Sequence, residues 1–132
     1  INYRCGTGHS VSHVGNVHEG PHALNGRNTT LMRPGMIVTD EPGVYETDLV
    51  GIRIENELVC VHKADNQYGT FLGFEPIMFV PIATSPIVPG VLTKDELDWL
   101  NNYHRQVFEK LAPRLNDEER EWLAKKCAAI GC

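Results

Sequence analysis

The chain has no CxxC pair, no apolar run of membrane-spanning length and no excess of positive charge. Each absence removes a class of function. The four cysteines stand at 5, 60, 127 and 132, and the length and composition do not suggest a disulfide-dependent secreted scaffold. They read as free thiols of a cytosolic protein, with Cys127 and Cys132 open to forming an exposed pair near the terminus. Crossing a bilayer takes about 20 apolar residues. The longest apolar run here covers residues 77–82, and Pro81 breaks it. A formal net charge of −5 gives no electrostatic case for nucleic acid or an anionic membrane as a partner. A starting Met and the regions of a signal peptide are missing as well. The chain opens at Ile1 straight into a dense motif, so the expectation is the C-terminal part of something longer.

What is present fits one domain with a moderate core: 132 residues, 42% hydrophobic and 22% charged. Residues 5–22 hold four of the six histidines, His9, His13, His18 and His22, with glycines at 6, 8, 15 and 20. That mixture suits a loop bringing backbone close to a ligand, and His is both a metal ligand and an acid–base group. The spacing does not match a zinc finger. His13 and His22 read as solvated surface. His9 and His18, framed by glycine, are the candidates.

The centre of the chain is Gly35-Met36-Ile37-Val38-Thr39-Asp40-Glu41-Pro42-Gly43-Val44-Tyr45 followed by Gly51-Ile52-Arg53-Ile54-Glu55-Asn56-Glu57-Leu58-Val59-Cys60-Val61. Both halves read as strands, joined by a five-residue loop at 46–50 into an antiparallel hairpin. With the turn centred near Asp48, Glu41 faces Glu55. Arg53, Glu55 and Glu57 share one face, and Ile52, Ile54 and Leu58 the other. Like charges directly opposed destabilise a hairpin. A divalent cation between the carboxylates answers this. So does a position in water, or neutralisation by Arg53. Pro42 removes a ladder donor, which argues for an edge or bulge and a register slip of one.

Outside this centre, a short strand is expected near 29–32, a polar turn at 62–69, a third strand over 70–80 and a connector over 82–90. Thr93 with Glu96 forms a capping box opening a helix whose stripe is Leu97, Leu100, His104, Val107, Phe108 and Leu111, ending near Pro113. Asn116 with Glu119 opens a last helix carrying Trp122, Leu123 and Cys127, with Gly131 as its stop. His104 reads as structural. Asp117, Glu118 and Glu119 suit a helix N-terminus and need no ligand. The tail covers the sheet or forms an oligomer contact.

Several of these motifs together carry a resemblance: Gly6-Thr7-Gly8-His9 with Asn16-Val17-His18-Glu19-Gly20-Pro21, Pro34-Gly35-Met36 with Glu41-Pro42-Gly43, and Gly51-Ile52-Arg53-Ile54-Glu55-Asn56. They resemble the C-terminal half of the catalytic domain of Xaa-Pro aminopeptidases, in metallopeptidase family M24. Phe74-Glu75-Pro76-Ile77 and the run from Leu97 to His104 resemble that family's long eukaryotic-type extension. The resemblance implies an α+β chain: part of a pita-bread fold, a curved antiparallel sheet over residues 1–90, then a helical extension over 91–132.

It also implies a cytoplasmic enzyme that uses two divalent metal ions, Mn before Co or Zn, to remove the residue preceding a proline from a peptide. His9, Glu41 and Glu55 match metal ligands, Glu55 the bridging one. Glu41 also matches the group that handles the proton of the attacking water. His18 matches a substrate-contacting histidine, and Arg53 an arginine that orients carboxylate ligands. Two aspartate ligands of the family lie upstream of its glycine–histidine motif, and no Asp here stands in that context, so this chain alone is expected to be inactive. The remainder of the same protein would supply them, and a homodimer is also compatible. Asp40, beside Glu41, points to the opposite face. Cys5 stands where many members have a histidine, and Ser10 where glycine is common. The alternatives are an Xaa-Pro dipeptidase and a non-catalytic pita-bread binding module.

Overall fold

The computed structural model describes residues 5–131. Cys132, and with it the anticipated terminal cysteine pair, lies outside the described residues. The chain divides into two compact units, Ile1–Met78 and Phe79–Cys132.

The first unit carries strands β1 (Ile37–Asp40), β2 (Gly43–Glu46), β3 (Val50–Arg53), β4 (Asn56–Asn66) and β5 (Gly69–Pro76). β4 lies between β1 and β5 in one antiparallel sheet, and β2 pairs with β3 in a two-stranded ribbon. The expected hairpin is therefore present but cut in two. Its first half is β1 then β2, and its second half β3 then β4. The cut falls at Pro42, which has no N–H to give to a ladder. There the Ile54 N–H reaches the Pro42 carbonyl at 3.4 Å. The register does not slip: Asp40 faces Asn56 on one side of the cut and Gly43 faces Arg53 on the other. Both ladders count from a turn centred on Asp48. That turn takes residues 47–49, shorter than the five-residue loop expected, and is closed by Leu49 N–H to the Glu46 carbonyl at 3.1 Å. Asp48 has φ 57°, a left-handed conformation that Asp tolerates better than most residues.

The polar stretch at 62–66, expected as a turn, continues β4 against β5, with a register shift between His62 and Ala64. Its polar side chains pair across the ribbon: Lys63 Nζ meets Glu75 at 2.7 Å, and the Thr70 hydroxyl donates to Asp65 at 2.7 Å. β5 ends at Pro76 rather than at 80. The strand expected near 29–32 is absent. The Thr30 N–H is instead taken by the Asn28 side chain, and both residues bond the Pro21 carbonyl through their side chains. The hairpin's apolar face is only partly covered, with Ile52 and Ile54 half-exposed.

Two short segments widen the sheet beyond β1. Ser10 bridges Val38, and His9 bridges Ala23. The order across this part is thus 22–24, 8–10, β1, β4 and β5. Val38, Thr39, Cys60 and Ser10 are buried along it.

The second unit is helical. Helix α1 (Lys94–Leu111) begins at the Thr93–Glu96 capping box, passes into a 3-10 turn at Ala112–Arg114, and is followed by α2 (Asp117–Lys126), opened by the Asn116–Glu119 box. α2 is capped at Cys127, short of Gly131. Leu97, Leu100, His104 and Val107 are buried as expected, together with Tyr103. Tyr103, Val107 and Leu123 form the core, against which Phe79, Ile82, Phe108, Leu111, Leu115 and Cys127 pack. The Tyr103 hydroxyl donates to the Val80 carbonyl at 3.0 Å and accepts the Val80 N–H at 3.2 Å. His104 is fully buried and its Nε2 accepts the Ile82 N–H at 3.1 Å, the structural role expected of it. Burial holds its pKa below the usual histidine value. Past α2, Asn101 pairs through both ends of its amide with the backbone of Ile130, at 3.0 Å each. Among the described residues no helix is long and apolar enough to cross a membrane.

Candidate metal centre

Side chains alternate along a strand. Residue 39 on β1 and residue 41 just past its end therefore share a face with residue 9, which lies opposite 39, and the register puts 53, 55 and 57 on that face too. The His9 and Glu41 side chains are 20% and 13% exposed, and Nε2 of His9 lies 2.9 Å from Oε1 of Glu41. The other ring nitrogen, Nδ1, is 3.0 Å from the Ser10 carbonyl. A carbonyl only accepts, so Nδ1 carries a hydrogen, and Nε2 is the nitrogen turned toward Glu41.

Glu41 is held at both oxygens. Oε1 takes the Thr39 hydroxyl at 2.9 Å, and Oε2 pairs with the Arg53 guanidinium. Arg53 is itself placed by Tyr45, whose hydroxyl accepts from Nε at 2.6 Å and whose ring centroid lies 5.6 Å from the guanidinium carbon. The ring reaches Arg53 by lying over Gly43. A Cβ there would stand 2.7 Å from the Tyr45 hydroxyl oxygen, so glycine is what leaves the room. The His18 ring is exposed and stacks obliquely on His9, with centroids 4.1 Å apart.

The structure thus brings His9, His18, Glu41 and Arg53 together. Glu55 is exposed in the link between β3 and β4. Among the described residues, no three His, Cys, Asp or Glu side chains gather as a metal-binding group. The pair that does converge fits part of an ion's coordination sphere. Donors about 2.0–2.2 Å from a metal can stand about 3 Å from each other, which is the spacing of Nε2 and Oε1. One imidazole with hard carboxylate oxygen suits Mn, Co or Zn.

The other sequence candidates fall elsewhere. His13 is exposed. His22 is not solvated surface as expected: it is half-buried, and its Nε2–H donates to the Ile37 carbonyl at 2.7 Å. Cys5 is exposed, Cys60 buried and Cys127 half-buried, all three as free thiols. Burial raises the Cys127 pKa. The helical unit has a cleft of about 590 Å³ between α1 and the end of α2, lined in part by Asn101, Arg105, Phe108 and Cys127. It holds no acid–base pair. Two residues of the site escaped the sequence reading, Thr39 and Tyr45. The signal for Thr39 was its place two residues before Glu41, on the same face.

Residues 1–62 match the model of metallopeptidase family M24, and residues 70–130 that of the C-terminal region of peptidase M24. Aminopeptidase P2 of Arabidopsis thaliana is 46% identical over 93% of this chain and 18% of its own. A "Probable Xaa-Pro aminopeptidase P" of Coprinopsis cinerea is 42% identical over 98% and 22%. The crystal structure of the X-prolyl aminopeptidase of Caenorhabditis elegans, described as a cytosolic enzyme with a di-nuclear active site, superposes with a TM-score of 0.82 at 39% identity. It covers 95% of this chain, and the chain covers 21% of it. The chain spans about a fifth of the length of the curated relatives it matches. The likeness bears out the expected α+β architecture, part of a pita-bread fold with antiparallel sheet and C-terminal helices. With consecutive family models on both sides of residue 66 and relatives above 40% identity along nearly its whole length, the chain belongs to metallopeptidase family M24.

Proposed function

We propose that the protein bearing this chain is a metal-dependent aminopeptidase that removes the first residue from peptides with proline in second position. The observation that carries this is the convergence of His9 and Glu41, with Arg53 behind Glu41, in a chain whose relatives carry that activity in their names. His9, Glu41 and Glu55 would hold two divalent ions, Mn first and Co or Zn next, with two aspartates from outside this chain. Bound there, the ions would supply an acidified water and a polarised scissile carbonyl. Glu41 accepts the proton of the attacking water. Arg53 keeps its second oxygen occupied and so fixes the carboxylate plane. His18, stacked on His9 and open to solvent, reaches the substrate and donates to the oxyanion as it forms. Residues 1–90 are the catalytic part in this reading and 91–132 an extension. The worm enzyme is described as cytosolic, and we assign this protein to the cytoplasm as well.

The test is hydrolysis of an Xaa-Pro-Xaa tripeptide by the full-length protein, after chelation and after return of Mn²⁺. Metal-dependent release of the first residue supports the reading. Turnover that survives chelation, or no turnover under either condition, overturns it.

A further inference from the structure

We propose that the Thr39 hydroxyl is a positioning group of the metal centre, setting His9 and Glu41 in the relative placement that lets both reach one ion. The inference rests on the reading of His9 and Glu41 as ligands.

Thr39 is 2% exposed and stands on β1 directly opposite Glu57. A hydroxyl has one hydrogen to give. The His9 backbone N–H lies 3.0 Å from Oγ1 and can only donate, so the hydroxyl accepts there. Its own hydrogen is then committed to Oε1 of Glu41, at 2.9 Å. This is the oxygen that faces Nε2 of His9. One buried atom therefore holds the main chain of one ligand and the side chain of the other.

The surrounding backbone explains why a side chain does this work. The Thr39 N–H donates to the His9 carbonyl at 2.9 Å, and the Glu41 N–H to the Thr7 carbonyl at 2.7 Å. The His9 N–H goes to the hydroxyl rather than to the facing main chain. The two segments are also pressed together: a Cβ on Gly8 would stand 2.0 Å from the Thr39 carbonyl oxygen. His9 thus cannot move away from β1 without losing this set of bonds, and Glu41 cannot turn without leaving the hydroxyl hydrogen unpaired.

A bland account makes Thr39 a buried polar residue satisfied by its neighbours. That account predicts lost stability on substitution, with metal affinity unchanged. Removing a group that supports a metal ligand typically costs about 10–100-fold in affinity. The experiment is calorimetric titration of the full-length protein with Mn²⁺, for the wild type, Thr39→Val and Thr39→Ser. Valine keeps the branched shape and loses the hydroxyl; serine keeps the hydroxyl. The expected result is a loss of about 10–100-fold for Thr39→Val and affinity within a few-fold of wild type for Thr39→Ser. Wild-type affinity in Thr39→Val overturns the inference, as does a serine variant as weak as the valine one. If Thr39→Val does not fold, Thr39→Ala takes its place, with the same expected loss and the same overturning result. A wild-type protein that binds no Mn²⁺ removes the proposed function and this inference with it. A binding wild type with an unaffected valine variant refutes the inference alone.

Discussion

His9 and Glu41 come within 2.9 Å through Nε2 and Oε1, while the opposite nitrogen of the same ring gives its hydrogen to the Ser10 carbonyl. Two atoms bearing lone pairs repel at that distance unless a proton or a metal ion lies between them. Under the proposed function a metal ion would fill that role. Glu41→Ala or His9→Ala in the full-length protein is therefore expected to lower both Mn²⁺ content and tripeptide turnover by orders of magnitude. Glu55→Ala is expected to do the same. Near-normal turnover in any of the three would remove that residue from the ligand set.

His18 stacks on His9 without bonding to Glu41, and it is exposed. Its substitution should separate chemistry from metal retention. His18→Ala is expected to lose turnover about 100-fold or more while elemental analysis finds wild-type metal content. A drop in metal would make His18 a ligand and reassign its role.

His104 provides a pH test in the helical unit. It is fully buried, and burial holds its folded pKa below its unfolded value of about 6.5. The unfolded chain then binds the proton first, so this contribution is fully present above about pH 6.5 and is lost as the pH falls below it. Urea unfolding at about pH 5 and about pH 7.5 should show a smaller midpoint at the lower pH, and His104→Gln should flatten the difference. An equal difference in both proteins would mean that other groups carry it.

Both helices start with a reciprocal capping box, Thr93 with Glu96 and Asn116 with Glu119. Thr93→Ala and Asn116→Ala are each expected to cost about 1 kcal/mol, read from the shift in the denaturation midpoint. A shift under about a fifth of that in both would show that these helix starts are held by packing alone.

The parts legible in the sequence were those where a local rule and the tertiary structure agree. Asp48 as the turn centre was readable from the spacing of two apolar runs, and it sets the register of four strands. The caps were readable because Thr93 and Asn116 act within one turn of themselves. Other parts depended on partners far along the chain. Residues 62–66 look like a turn because they are polar, yet a two-stranded ribbon exposed on both faces tolerates polar residues so long as they pair across it, as Lys63 does with Glu75. Residues 29–32 look like a strand by composition, but the Asn28 side chain captures the backbone there. His22 looked like surface because nothing nearby in sequence shows that the Ile37 carbonyl waits for it. Tyr103 was passed over in the helical stripe because its polar tip needs the Val80 backbone to make burial acceptable.

The uncut register across Pro42 makes the 47–49 turn a phase constraint on a carboxylate well removed from it. Both ladders are counted from Asp48, so one residue added to or removed from that turn would advance β3 and β4 together by a half-period of the pleat. Every side chain from 50 to 59 would then exchange faces. Arg53 would leave Glu41, and Ile52 or Ile54 would take its place beside a half-buried carboxylate. Loop tips usually tolerate insertions. This one is expected to tolerate changes of residue but not of length, because the distance counted around it determines which side of the sheet carries charge.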